Sequence, residues 1–346
     1  MKKARIALVS FESFGDSLIY TMMADNLRRN GYTITLFGNV AYQLREWLPQ
    51  LSIEPYPEFV KLYSTLDDYH LVFMSPSRTI RDSTGDIKLE EIRHRFLLIC
   101  QKVPKTWLFD HHSRLKQNLS QDIFQQIEHL SHSAGSIHYR KFKKESVVEI
   151  TLDFMREKMG LQALSAKVEL SPPKGLIFRK NKRRIVISPD SAWPEKKDWS
   201  PERFFKLCDL LAHANYEPVI VIVVAPNNHE IWQAKQNNHF LTLTFENIGK
   251  LAEYIYESAA VIANDSGNGH LASFLGIPVV TIYRKRNPYF HWRPGWSDTT
   301  VICPRIVLPR PNSSIWRPFI GVKRVKRALE KLLRQVNLKL SDNECE

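Results

Sequence analysis

The sequence has little cysteine and no long apolar run, and each shortage excludes a class of protein. Its four cysteines lie far apart and form no Cys-x-x-Cys pair, which argues against a zinc site and against a disulfide framework. They are Cys100, Cys208, Cys303 and Cys345. The longest purely apolar run, 219–225, has seven residues, whereas a membrane-spanning helix needs about 20. We therefore expect no membrane span and a reducing, cytoplasmic environment.

Glycine is also scarce, with 13 in 346 residues, while 43% of the residues are hydrophobic and 11% are aromatic. This composition excludes disordered, collagen-like and low-complexity proteins, and the length suffices for two domains. Acidic residues are outnumbered, 36 Asp and Glu against 49 Lys and Arg, so the net charge is +13. Such an excess favours an anionic partner: nucleic acid, an acidic membrane surface or a phosphorylated substrate.

Short β-branched runs alternate with amphipathic stretches through the first half of the chain. Strands are predicted at residues 5–10, 33–37, 71–74 and 107–110, and helices at 18–27 and 92–99. Continuously apolar strands that alternate with helices predict a parallel sheet covered on both faces.

The same pattern restarts after a basic, proline-containing segment, 171–184, which predicts an exposed linker. We therefore place a first domain at 1–170 and a second at 185–320. We expect a C-terminal helix and tail at 321–346, which can pack back on the first domain. Two such units predict an α/β fold of two Rossmann-like, doubly wound domains facing across a cleft, with ligands at the carboxyl ends of the strands.

The most informative segment, 263–272, joins an apolar strand to a helix through small residues. The first amides of that helix are unpaired and lie at the positive end of its dipole, which suits a phosphate or diphosphate. Ser266 and Gly267 let such a group approach, and His270, four residues after Ser266, can donate to it. The alternative is an ordinary turn in which Asp265 or Ser266 only caps the helix.

Two further loops follow predicted strands. In the loop 188–201, Lys196 and Lys197 can neutralise a phosphate, unless they are simply solvated. Asp16 follows the first strand, where it can cap the first helix, act as a general base, or do both.

These motifs occur in a specific order along the chain: Gly15-Asp16, then Ser188-Pro189 with Lys197-Asp198-Trp199-Ser200-Pro201, then Asp265-Ser266-Gly267 with His270-Leu271-Ala272. The order resembles the glycosyltransferase family that contains the ADP-heptose:lipopolysaccharide heptosyltransferases. The match is strong in 183–283, moderate in 4–40 and absent in 41–180. The resemblance implies a GT-B fold, with a nucleotide-sugar donor held mainly by the second domain and an acceptor held by the first.

The resemblance also assigns roles to residues. Asp16 matches the catalytic base of the family. The donor-binding positions are Ser191, Lys197, Glu230, Asp265, Ser266, Gly267 and His270. The sequence departs from the family at Asp190, which puts a carboxylate near the expected phosphates, and at 284–288, which replaces a Gly-Pro turn.

The activity implied is that of an inverting glycosyltransferase that moves a heptose from ADP-heptose onto an inner-core acceptor of lipopolysaccharide or lipooligosaccharide. We expect no metal and no other cofactor, because Lys197, the amides at Ser266-Gly267 and His270 supply the positive potential and the sequence has no Asp-x-Asp triplet. The adjacent His111 and His112 lack a third metal ligand.

The partners implied are the nucleotide-sugar donor, an anionic lipid-linked saccharide acceptor and the anionic inner leaflet of a bacterial inner membrane, where the enzyme is peripheral. Arg78 and Arg81 are candidates for holding an acidic sugar.

One alternative is transfer of a different nucleotide-linked sugar by the same scaffold. The other is a basic nucleic-acid-binding protein, since Arg284–Arg286 with nearby aromatic residues matches a single-strand groove; no nucleic acid is expected if the first interpretation holds.

Overall fold

The chain folds into two compact units, Met1–Ser171 and Pro172–Glu346, in the computed structural model. The structure describes residues 3–58, 61–75, 93–100, 103, 105, 108–137, 145–222, 232–233, 238–284, 292–310 and 313–343. Each unit contains a six-stranded parallel sheet with helices. The predicted α/β class with two Rossmann-like units is confirmed.

The first unit is ordered β3-β2-β1-β4-β5-β6 across its sheet. Its strands are β1 (Arg5–Val9), β2 (Thr33–Phe37), β3 (Ser52–Glu54), β4 (Leu71–Met74), β5 (Phe96–Cys100) and β6 (Gly135–Ser136). Its helices are α1 (Phe14–Arg29), α2 (Asn39–Gln43), α3 (Leu62–Leu66), α4 (His111–Asn118), α5 (Gln121–Ile127) and α6 (Val147–Glu157). The strand order reverses between β1 and β4, so the ends of these two strands mark the switch point at which such sheets bind ligands.

The second unit is ordered β12-β11-β10-β7-β8-β9. Its strands are β7 (Asn181–Ser188), β8 (Glu217–Ile222), β9 (Leu241–Thr244), β10 (Ser258–Asn264), β11 (Val279–Ile282) and β12 (Thr299–Ile302), with a separate hairpin of β13 (Leu308–Arg310) and β14 (Ser313–Ile315). Its helices are α7 (Pro194–Lys197), α8 (Pro201–Ala212), α9 (Ile248–Tyr256), α10 (Gly267–Phe274) and α11 (Val322–Asn343). Because β7 and β10 are central neighbours, the loops that follow them lie side by side.

Burial explains why the strands are apolar without alternation. Every residue of β4, β10 and β11 is buried, as expected for parallel strands with helices on both faces. Close packing of α10 on its sheet depends on Gly269, where a Cβ would lie 3.3 Å from the Cβ of Ala263. The helix that carries the candidate site is therefore held directly against β10.

Two predicted elements of the first unit are wrong. The segment 92–99, predicted as helical, contains strand β5, whose apolar run is too short for its spacing to distinguish a strand from a helix. The described part of the predicted strand 107–110 is not a strand. There Asp110 caps α4 by accepting a hydrogen bond from the Ser113 amide at 3.2 Å.

The C-terminal helix α11 contributes to the core of the second unit. It packs on α8 and on β10, β11 and β12, and its buried residues are Val325, Leu329, Leu332, Leu333 and Val336. Its apolar face is thus used within this unit. Among the described residues, no helix is both long enough and apolar enough to cross a bilayer.

Gly38 provides a test of packing at the end of β1. A Cβ at this position would lie 2.1 Å from the Oγ and 3.1 Å from the Cβ of Ser10. We expect Gly38→Ala to lower the free energy of unfolding by about 1–3 kcal/mol, the range for overpacking, as measured by urea denaturation. In a Ser10→Gly background, which removes both atoms, the same substitution should cost much less. Equal costs in the two backgrounds would contradict this account of the packing.

Candidate active site

Two loops of the second unit, one after β7 and one after β10, are joined by side-chain amides. Asn264, the last residue of β10, is fully buried. Its Nδ2 donates to the Pro189 carbonyl, and its Oδ1 accepts from the Trp199 amide at 3.2 Å. Asn268 donates from Nδ2 to the Ser188 Oγ at 2.8 Å. These bonds determine where the loop after β7 lies relative to the start of α10.

The start of α10 has no side-chain cap. Ser266 occupies the N-cap position with an extended backbone (φ −143°, ψ 162°), but its hydroxyl accepts no hydrogen bond from the helix amides. Its buried Oγ has no hydrogen-bond partner among the described residues, and the first turn contains no acidic side chain. The first amides and the positive end of the helix dipole are therefore available to an anion.

Lys197 brings a positive charge to this turn. Its Nζ lies 2.8 Å from the Oδ2 of Asp265, and both side chains remain partly exposed, at 34% and 20%. The backbone around it is held by Arg317, which donates to the carbonyls of Asp198 at 2.6 Å and Pro194 at 3.2 Å. The neighbouring Lys196 instead lies over the exposed ring of Trp193. Of the two lysines considered from the sequence, Lys197 is thus the one placed at the helix start.

His270 is buried in an aromatic surrounding. Its ring contacts Trp292 and Trp296 edge to face, with ring centroids 6.0 and 6.3 Å away. Burial, together with the charge of Lys197, lowers the pKa of His270 from 6.5 to about 4. The imidazole is therefore neutral at neutral pH, so it carries no formal positive charge and can contribute to the positive potential only through an N–H dipole. It can still take part in a hydrogen bond, since its buried Nδ1 has no partner within the described part of the chain.

The loop after β7 contains a titratable group that the sequence analysis did not single out. Burial raises the pKa of Asp198 to about 6; the charge of Asp190 also raises it, while a hydrogen bond with Ser191 lowers it. Ser191 in addition accepts from the Trp193 amide at 3.3 Å. Ser191 is thus engaged within its own loop. The place of Asp198 between Lys197 and Trp199 of the quoted motif was visible in the sequence, whereas its burial was not.

Several predicted positions lie outside the described residues. These are Glu230, the candidate sugar-binding residues Arg78 and Arg81, and 285–288 of the basic segment. Trp292 and Trp296, two of the aromatic residues that follow Arg284–Arg286 in the sequence, are described and flank His270. The structure therefore brings together Ser191, Lys197, Asp265, Ser266, Gly267 and His270 around the ends of β7 and β10.

Asp16 lies in the first unit, in the first turn of α1, where the sequence analysis considered it as the cap. The cap position is instead occupied by Ser13, whose extended backbone precedes the helix and whose hydroxyl donates to the Asp16 carboxylate. One turn along α1, Tyr20 donates its hydroxyl to the Ile99 carbonyl at 2.7 Å. Burial raises the pKa of Tyr20, and the charges of Cys100 and Asp16 raise it further. The half-buried carboxylate of Asp16 thus lies just beyond the end of β1, at the switch point of the sheet.

Comparison with known proteins gives a consistent result. The family model for glycosyltransferase family 9 (heptosyltransferase) matches residues 96–313. Among solved structures, the Escherichia coli ADP-heptose lps heptosyltransferase II aligns with 17% identity and a TM-score of 0.63, covering 96% of this chain and 99% of that one. A family 9 glycosyl transferase from Veillonella parvula aligns with 17% identity and a TM-score of 0.65, covering 97% and 99%.

A third structure, the E. coli heptosyltransferase WaaC with ADP, aligns with 14% identity and a TM-score of 0.59, covering 95% of this chain and 99% of that one. At these identities the structural matches concern the fold, and they agree with the expected GT-B architecture. No curated protein sequence matches the chain.

The buried, neutral state of His270 has a consequence for stability. Its pKa is about 4 in the folded state, against 6.5 for the ordinary group, so the unfolded chain binds more protons between these values and stability falls as the pH drops through them. Between about pH 7.5 and pH 5 this contribution amounts to about 2 kcal/mol.

Wild type should therefore lose about 2 kcal/mol more than His270→Gln over that interval, measured by urea denaturation at both pH values. The raised pKa of Asp198 acts in the opposite direction, but it is present in both proteins and cancels in the difference. Equal losses in the two proteins would mean that His270 titrates normally.

Proposed function

Because the chain belongs to glycosyltransferase family 9, and is therefore a glycosyltransferase, we propose that it is an inverting, metal-independent heptosyltransferase. Its donor is ADP-heptose, and its acceptor is an inner-core sugar of lipopolysaccharide or lipooligosaccharide. The observation that carries the proposal is the uncapped start of α10 with Lys197 beside it. The structural similarity to an E. coli heptosyltransferase with ADP supports an ADP-linked donor.

In this proposal the leaving diphosphate is stabilised by the second unit. Its oxygens accept hydrogen bonds from the first amides of α10 and from the hydroxyl of Ser266, whose Oγ otherwise has no partner among the described residues. Lys197 supplies the formal positive charge, and Asp265 keeps that ammonium at the turn. His270 offers a neutral imidazole. Because these groups are built into the protein, they stabilise developing charge with little reorganisation, and we propose that they take the role that a divalent cation has in other glycosyltransferases.

The first unit supplies the base in this mechanism. Asp16 takes the proton of the acceptor hydroxyl while that oxygen forms a bond to the anomeric carbon of the sugar. The bond between the anomeric carbon and the diphosphate oxygen breaks at the same time, with inversion of configuration. The hydrogen bond from Ser13 and the positive end of α1 both favour the ionised carboxylate that this role requires.

The remaining assignments concern the loop after β7, the nucleoside and the acceptor. We propose that Ser191 positions the loop that carries Lys197, and that Glu230 contacts the nucleoside. The net charge of +13 suits an anionic, lipid-linked acceptor and peripheral binding at the anionic inner leaflet. The protein would then act in the cytoplasm, at the membrane surface where that acceptor is presented.

A pair of adjacent lysines tests the donor site. Lys197→Ala should weaken ADP binding by about 1.5–3 kcal/mol, the range for hydrogen bonds that involve charged groups, measured by titration calorimetry. Lys196→Ala removes the same charge one residue away, from the side chain that lies over Trp193, and should leave the affinity unchanged. If the two variants bind ADP equally well, the donor diphosphate is not at the start of α10.

Substitution of Asp16 separates catalysis from stability. Asp16→Asn removes the proton acceptor and should reduce turnover by roughly 10²–10⁴-fold, while the loss of its charge in the first helical turn costs about 0.3–1 kcal/mol of stability. ADP affinity should stay the same, since the donor groups belong to the second unit. The exposed Glu12, changed to Gln, is the matched control and should transfer sugar at the wild-type rate. Turnover by Asp16→Asn within about threefold of wild type, in a protein that melts normally, would place the base elsewhere.

A further inference from the structure

The second unit has a cavity of about 320 Å³ at the side of its sheet where the parallel strands begin. The candidate donor site lies at the opposite side, where β7 and β10 end. It is lined by residues just before and at the start of β7, by the residue that precedes β8, and by one side of α11. The polar lining residues are Arg179, Lys182, Tyr216, Glu330, Arg334 and Asn337. Three of these are cations and one is a carboxylate, so the lining is positively charged.

Arg179 forms the floor of this cavity and is 1% exposed. Its backbone has φ +51°, a conformation that few residues other than glycine adopt. The guanidinium donates from Nε to the Ala259 carbonyl at 3.1 Å and from Nη2 to the Asn337 Oδ1 at 3.3 Å. The buried Nη1 has no hydrogen-bond partner in the described ranges. The guanidinium is thus held in place while the two N–H groups of Nη1 have no acceptor among the described residues.

The cavity also lacks a matching negative charge. Glu330, the one carboxylate of the lining, forms an ion pair with Lys326, whose Nζ donates a hydrogen bond to the Glu330 Oε1 at 2.5 Å. Within the described residues, neither Lys182 nor Arg334 forms an ion pair, and Arg179 contacts a carbonyl and an amide rather than a carboxylate. Burial lowers the pKa of the Arg179 guanidinium, yet arginine stays protonated in proteins. A buried charge without a counter-charge is costly unless an anion compensates it.

We propose that this cavity binds a phosphate-bearing anion. Lys182 and Arg334, both exposed at its rim, contact the phosphate oxygens, and Arg179 adds its charge from the floor. Three cations around one cavity favour a doubly charged group over a single carboxylate. The volume is at the small end of ligand pockets, which suits a phosphomonoester or pyrophosphate group rather than a whole nucleotide sugar.

This site is separate from the proposed donor site, because the two lie at opposite edges of the same sheet. Its existence does not depend on the proposed function. The phosphate group can belong to a soluble compound or to a lipid headgroup, since both present the same oxygens to Lys182 and Arg334. The experiment therefore needs one arm that tests phosphate binding itself and a second arm that distinguishes a lipid headgroup from a soluble compound.

The first arm titrates inorganic pyrophosphate into the full chain by calorimetry, with and without saturating ADP, which occupies the proposed donor site. Wild type should retain a pyrophosphate site in the presence of ADP. The variant Lys182→Ala/Arg334→Ala should bind pyrophosphate there at least about tenfold more weakly, as expected for lost charge-assisted hydrogen bonds. Its substitutions are at exposed positions, so the fold should be retained.

The matched control is Lys323→Ala/Lys331→Ala, which removes two exposed cations of α11 that do not line the cavity and changes the net charge equally. It should bind pyrophosphate like wild type. Failure of wild type to bind pyrophosphate in the presence of ADP, or an equal loss in the control and rim variants, would overturn the proposal. Loss of ADP binding in Lys197→Ala bears on the donor site alone.

The second arm measures co-sedimentation with phosphatidylcholine vesicles that contain or lack phosphatidic acid, a lipid phosphomonoester. Binding to phosphatidic acid that the rim variant loses and the control retains identifies a lipid headgroup as the source. Pyrophosphate binding without any such difference between the variants identifies a soluble phosphate compound. If the rim variant matches wild type in both arms, the cavity binds no phosphate.

Discussion

The buried amide of Asn264 is the interaction on which the candidate donor site depends. It ends β10 and bonds both to Pro189, just beyond β7, and to Trp199, beyond the short helix α7. Because a buried amide that loses one partner leaves polar atoms unsatisfied at a cost of about 1–3 kcal/mol, the loop after β7 has little freedom to move away. Lys197, carried by that loop, consequently stays at the start of α10.

Within the described part of the chain, few formal charges contribute to the positive potential at the start of α10. Lys197 is the cation at the turn and is already paired with Asp265, while His270 is neutral because it is buried among aromatic rings. Much of the attraction for an anion therefore comes from the uncapped amides and the dipole of α10. Backbone dipoles are fixed by the fold, so a site of this kind does not depend on the rotamers of long side chains.

At the opposite side of the same sheet, where the strands begin, the positive potential comes from a formal charge and not from backbone dipoles. Arg179 is a formal charge that is buried without a counter-charge among the described residues, and it is held by a carbonyl and an amide. The segment around it was interpreted from the sequence as an exposed basic linker, yet Arg179 is buried beneath α11. Composition indicated the positive charge correctly but had no means of indicating which cation the helix would cover.

The fold class and the main turn of the site could both be predicted from the sequence. Continuous apolar strands alternating with amphipathic helices require a parallel sheet covered on both faces, and the small residues at 264–267 require a tight turn between β10 and α10. Local spacing did not distinguish the strand β5 from a helix, because five apolar residues satisfy either period. That Ser13 rather than Asp16 occupies the cap of α1 is a local outcome, since it follows from the extended backbone at Ser13. Only the folded structure shows that Lys197 rather than Lys196 reaches the turn and that His270 is neutral. These two outcomes depend on burial and on contacts between residues far apart in the chain, which no local pattern of residues encodes.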